Sequence, residues 1–187
     1  MLNRARHGLF ARLRRSRFAR DRRGVSAVEF ALVAPIMIGL YFGCVEISDG
    51  VAVDRKVSLT AAALANLSAQ VTTISANDMT NILDASGAII QPYDASKLKM
   101  TITCISIDAS KKATVKWSVT RNGAANSGTM TLPSALAVAN TQLILAEASY
   151  AYTPIVGYTI TGSLNLADKM YMAPRQTSPT YNGTACT

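Results

Sequence analysis

Histidine is almost missing from this chain of 187 residues: His7 is the only one, and it lies among the arginines of the N-terminus. The rest of the chain therefore has no imidazole general acid or base, no Ser/His/Asp or Cys/His nucleophile set, and no His-containing zinc site. Gly-rich phosphate loops, HExxH and CxxC are missing as well. Charge is scarce, at 16% of residues, against roughly 25% in a typical soluble domain. Beyond residue 54 the carboxylates are Asp78, Asp84, Asp94, Asp108, Glu147 and Asp168, scattered along the chain. A pair of them meeting in space is the one route left to catalysis, and the sequence does not advertise it. We expect no catalytic residue, metal, cofactor or small-molecule substrate.

What charge there is has a location. Residues 1–23 hold nine arginines, Arg20, Arg22 and Arg23 among them, and a single acid, Asp21. That segment accounts for the whole net charge of +8, and residues 24–187 are neutral. A groove-binding nucleic-acid domain is basic in its folded part. This one is not, so no nucleic-acid partner is expected.

After Arg23 the composition changes abruptly. Residues 25–45 are mostly apolar with Glu29 their only charge, and residues 30–45 carry none. As a helix, such a run spans about 31 Å, close to the hydrocarbon thickness of a bilayer. Tyr41 and Phe42 fall near its far end, where aromatic rings suit an interface. The alternatives are the core helix of a soluble protein and a cleaved secretory signal. The length of the run and the arginines before it weaken the first. An h-region is usually shorter than this, which weakens the second. Basic residues before an apolar span keep the N-terminus in the cytoplasm, which places residues 50–187 outside it. Apolar positions continue at Val51, Val53, Val57, Leu59, Leu64 and Leu67. They predict one helix to about Ala69, its outer half packed on a domain.

The residues Arg22-Arg23-Gly24-Val25-Ser26-Ala27-Val28-Glu29-Phe30-Ala31-Leu32-Val33-Ala34-Pro35, followed by Phe42-Gly43-Cys44-Val45-Glu46, resemble the TadE-like minor pilins, or pseudopilins, of tight-adherence (Flp-type, type IVb) pili. A basic leader, a glycine, a glutamate five residues later and an early helix proline occur together. The resemblance implies a prepilin of the bacterial inner membrane, cut between Gly24 and Val25 by a prepilin peptidase. Its other partners would be the major and minor pilins of the same system. Glycine before the bond offers no side chain to clash in a protease cleft, and the arginines hold the leader near anionic head groups. Cleavage would make Glu29 and Phe30 the fifth and sixth residues of the mature chain. In type IV pilins the fifth-residue carboxylate is thought to pair with the new terminal amine, and an ammonium partner offsets the cost of a carboxylate in an apolar bundle. The other reading of Glu29 is a cytoplasmic-interface charge beside Arg22 or Arg23. Pro35 removes one helical hydrogen bond and loosens the stem locally. Cys44 reads as a small hydrophobe and Glu46 as a carboxylate at the outer interface.

Past the stem, Ser75 begins a short helix over about residues 77–86, closed around Gly87. Alternation then predicts strands at 98–107 and 113–120, with a turn at 109–112 and a loop at 121–129; residues 143–152 read as a third strand and 164–172 as a fourth or an extended return. The expected class is α+β: a long N-terminal transmembrane helix running into an extracytoplasmic antiparallel sheet domain. The division is a leader at 1–24, a stem at 25–69 and an outer domain at 70–187. Trp117 and the tyrosines read as core. Outside the cytoplasm Cys104 and Cys186 leave one intramolecular pairing, and a bridge is expected; the alternative is two free thiols. Asn66-Leu67-Ser68 and Asn182-Gly183-Thr184 match glycosylation acceptors, a motif common by chance.

Three functions remain open at this point. The first is a minor pilin that assembles through its stem. The second is an uncleaved, single-pass periplasmic assembly or binding factor, and the third a membrane-anchored enzyme. Cleavage after Gly24 separates the first two.

Overall fold

A computed structural model describes residues 23–154, 162–176 and 178–187. Arg20 and Arg22, and the side chain of Arg23, lie outside the described residues. The chain divides into two units, one ending at Val45 and one starting at Glu46. Helix α1 (Arg23–Gln70) contributes to both, with Pro35 inside it.

In the first unit α1 keeps its large side chains in the open. Val28, Phe30, Leu32, Ile36, Ile38, Leu40 and Tyr41 are all exposed. A helix apolar on every side belongs in an apolar surrounding, and this one is long and apolar enough to cross a membrane.

The second unit treats the same helix differently. Val53, Val57, Ala61, Leu64 and Ala65 are fully buried, with Thr60 and Ser68 between them. Their spacing of three and four makes one stripe, and small side chains dominate it. The stripe joins a core with one face of a sheet built from β2 (Leu98–Ile107), β3 (Ala113–Arg121), β4 (Thr129–Met130), β5 (Thr141–Tyr152) and β6 (Leu164–Met172). The strand order is β4-β3-β2-β5-β6, antiparallel throughout. Met100, Ile102, Cys104, Trp117, Ile144, Ala146, Tyr150 and Tyr152 supply that face. Trp117 and these tyrosines are core residues, as their sequence context predicts.

The β2–β3 turn follows from Asp108, whose Oδ1 accepts from the backbone of Ser110 at 2.8 Å and of Lys112 at 2.9 Å. These bonds help hold its carboxyl below the usual carboxylate range, the Ser110 hydroxyl contributing most. On the other face of the sheet, Ile105, Ile107, Ala113, Leu143 and Leu145 form a second core under Met130, Leu132 and Leu136. Beside it, Asn126 Nδ2 donates to Thr103 Oγ1 at 3.0 Å and to Glu147 Oε2 at 2.6 Å, fastening the loop after β3 to the sheet. Gly123 makes this approach possible, because a Cβ there would lie 2.9 Å from Thr120 Oγ1.

Helix α2 (Ala76–Gly87) starts where the sequence places a cap. Ser75 Oγ accepts from the Asp78 backbone at 3.2 Å, and Asp78 Oδ2 accepts from the Ser75 backbone at 3.1 Å. The pair is a reciprocal capping box, and the Ser75 hydroxyl is the main reason the Asp78 carboxyl is held low.

Three expectations need correction or addition. The fold is α+β as predicted, but a second sheet accompanies the antiparallel one. It comprises β1 (Thr73–Ile74), β7 (Thr180–Tyr181) and β8 (Thr184–Ala185), with β1 and β7 parallel. Two-residue strands carry no periodicity for sequence to reveal; the returning tail sets them, with Thr180 N donating to Thr72 O at 2.8 Å. Glu46 is not an outer-interface carboxylate: it is 3% exposed, at the start of the buried stripe. The Asn66 acceptor motif is tied up by folding, since Arg175 Nη2 donates to Asn66 Oδ1 at 2.7 Å and Ser68 is buried.

Cys104 and Cys186 are bridged, with Cα atoms 5.9 Å apart and a sequence separation of 82. Both are fully buried. Cys44 is free and exposed.

Candidate functional site

The candidate site is the N-terminal junction and the stem that follows it. Gly24 and Val25 lie at the start of the described part of α1. A Cβ on Gly24 would meet no atom within 4 Å, and the same holds for Gly39 within the apolar run. Packing inside the described chain therefore imposes no glycine at either position. Val25 is 54% exposed and Phe30 73% exposed. Glu29 is exposed too, one helical turn after Val25 and on the same face. It is a lone carboxylate on a surface otherwise built from Val25, Val28, Phe30, Leu32 and Val33. Pro35 follows within α1 and is exposed.

Beyond the span, a second cluster escaped the sequence reading. Tyr93 Oη donates to Asp49 Oδ1 at 3.5 Å, and the Tyr93 ring meets Tyr150 edge-on with centroids 6.5 Å apart. Gly50 lies against Tyr152, whose ring would stand 3.7 Å from a Cβ there. Burial pushes the Tyr93 and Tyr152 hydroxyls above the usual tyrosine range, and the Asp49 charge adds to both. Glu46 raises Tyr152 further. Lys56 Nζ donates to Ile89 O at 3.1 Å and to Gln91 O at 2.8 Å, clasping the loop that carries Tyr93. The available signal was the spacing of Glu46, Asp49, Gly50 and Val53 along one helix face. Chemically the cluster fastens α1 to the sheet domain. Among the described residues, no three His, Cys, Asp or Glu side chains gather to hold a metal.

The matched stretch begins at the junction glycine. Residues 24–65 match the TadE-like protein family. The match ends within the buried stripe of α1, so it covers the span and its first packed turns, and the sheet domain lies outside it. No curated protein and no solved structure matches the chain. The likeness to the TadE-like family is therefore confined to the stem helix α1. Together with the one long apolar helix among the described residues it supports membrane anchoring.

Proposed function

We propose that the protein is a minor pilin or pseudopilin of a tight-adherence pilus and secretion system. It is made as a prepilin, cut between Gly24 and Val25, and assembled through its stem. The leader with Arg20, Arg22 and Arg23 stays in the cytoplasm, and the domain after the span stands in the periplasm. The partners are the inner membrane, the prepilin peptidase and the other pilins of the system. The observation that carries this reading is the exposed apolar surface of residues 25–45, in a stretch whose TadE-like match starts at Gly24.

The parts have physical roles in this reading. No neighbour within the described chain calls for glycine at position 24; a peptidase cleft, which must reach the backbone, supplies the reason. Glu29 sits among apolar side chains, where a charge at membrane depth costs on the order of 3 kcal/mol by insertion scales. A cationic partner offsets that cost. Cleavage creates one at the Val25 amine, and a neighbouring stem presents it at the same depth. Phe30 and Pro35 shape the packing surface around that pair.

Glu29→Ala tests the assignment. The variant is expected to reach the membrane in full amount and to be lost from complexes isolated with the other pilins of the system. Normal recovery in those complexes would reduce Glu29 to an interfacial charge and remove the assembly role.

A further inference from the structure

The second unit carries an apolar surface that its cores leave largely open, with only Leu166 of its lining packed against the main core. A groove of about 370 Å³ is lined by Ile47, Gly50, Val51 and Asp54 of α1 and by Leu164 and Leu166 of β6. Ile47 is 53%, Val51 47% and Leu164 43% exposed. Ile47 and Val51 are one turn apart and form a ridge. Among the described residues β6 is an edge strand of its sheet, and no further described strand covers Leu164 and Leu166. Exposed apolar surface that is contiguous, rather than scattered, marks an interaction site.

Two observations identify the occupant. The first is chain distance from the apolar run, which ends at Val45. Even fully extended chain covers no more than about 3.5 Å per residue, so Ile47 lies within about 7 Å of Val45 whatever the arrangement. The polar layer on one side of a bilayer is only about 5 to 8 Å deep. No linker separates span from fold either, because Glu46 is already buried in the second unit. The second observation is the gradient along the groove. Its helix residues nearest the span in sequence, Ile47, Gly50 and Val51, are uncharged, and the one charged residue, Asp54, is the farthest.

We propose that this groove is a membrane-facing foot, which takes acyl-chain segments of phospholipids in the outer leaflet of the membrane that holds residues 25–45. The inference rests on the membrane span of the proposed function but not on cleavage after Gly24. The foot gives the domain a second hold on the bilayer beside the span.

The test uses the full chain in vesicles of phosphatidylethanolamine and phosphatidylglycerol whose acyl chains carry bromine near the head group. Trp117 is the only tryptophan and is buried, so the parent protein gives a shielded background. Leu164→Trp and Val51→Trp place probes on the two walls of the groove. Ile38→Trp places one in the span, and Val138→Trp, at a position 56% exposed away from the groove, serves as the aqueous control. The brominated lipid is expected to remove at least half of the added emission of Leu164→Trp and Val51→Trp, and to leave Val138→Trp and the parent unchanged. Quenching of Ile38→Trp without quenching of the groove probes would overturn the foot and leave the span standing. Failure to quench Ile38→Trp would overturn both. Groove probes that escape bromine but shift to the blue as protein density rises would assign the groove to a second copy instead.

Discussion

Phe30, Leu32, Ile36 and Leu40 stand exposed along the first half of α1, whereas Val53, Val57 and Leu64 are fully buried along its second half. Both halves are apolar, and they differ in side-chain size and in period. The first half is crowded with Phe, Leu, Ile and Met on every side, which suits lipid or other stems. The second half buries one stripe, in which Ala61, Ala65 and Ala69 let the helix approach the sheet closely, and leaves Ile47, Val51 and Leu59 exposed beside it. Hydrophobicity alone does not say what a helix packs against; period and residue size do. Among the described residues the first half has no packed core of its own to hold it in water. The second belongs to a domain whose stability comes from dense packing and a bridge.

Removing the bridge should show the difference most strongly. Cys186→Ser opens a loop closed across 82 residues and is expected to cost the domain about 4 kcal/mol. The drop is measured by denaturant unfolding of the full chain in detergent, followed by Trp117 fluorescence. The next contrast lies within α1. Leu64→Ala leaves a hole in the main core and is expected to cost about 3 kcal/mol in the same assay. Leu32→Ala, on the exposed half, is expected to leave the Trp117 transition where it was. A shift as large as that of Leu64→Ala would mean that the exposed half supports the domain's fold and would break the comparison.

The long elements were legible because their residues alternate or repeat over many positions. Strand β2 begins and ends where the alternation does, at residues 98–107, and the stretch read as a fourth strand or an extended return is strand β6, 164–172. The Ser75 cap was legible because its chemistry is local. Strands β1, β7 and β8 were not, since two residues carry no period and their pairing is decided by the tail's return past Ala69 and Thr72. Glu46 misled for a different reason. A glutamate at the end of an apolar run reads as an interface charge, yet Tyr152 close by and its place on the stripe draw it inside. The junction residues were legible as a motif. Their side chains touch little within the chain, so the fold adds the exposure of Val25, Glu29 and Phe30 and the open space around Gly24.

The most direct test of the account is the N-terminal sequence of the protein recovered from native membranes, with and without the prepilin peptidase, and with Gly24→Lys alongside. The account predicts a chain that begins at Val25 only when the peptidase and Gly24 are both present. A chain that keeps its arginine-rich leader in the presence of the peptidase would contradict it and leave a permanently anchored periplasmic factor.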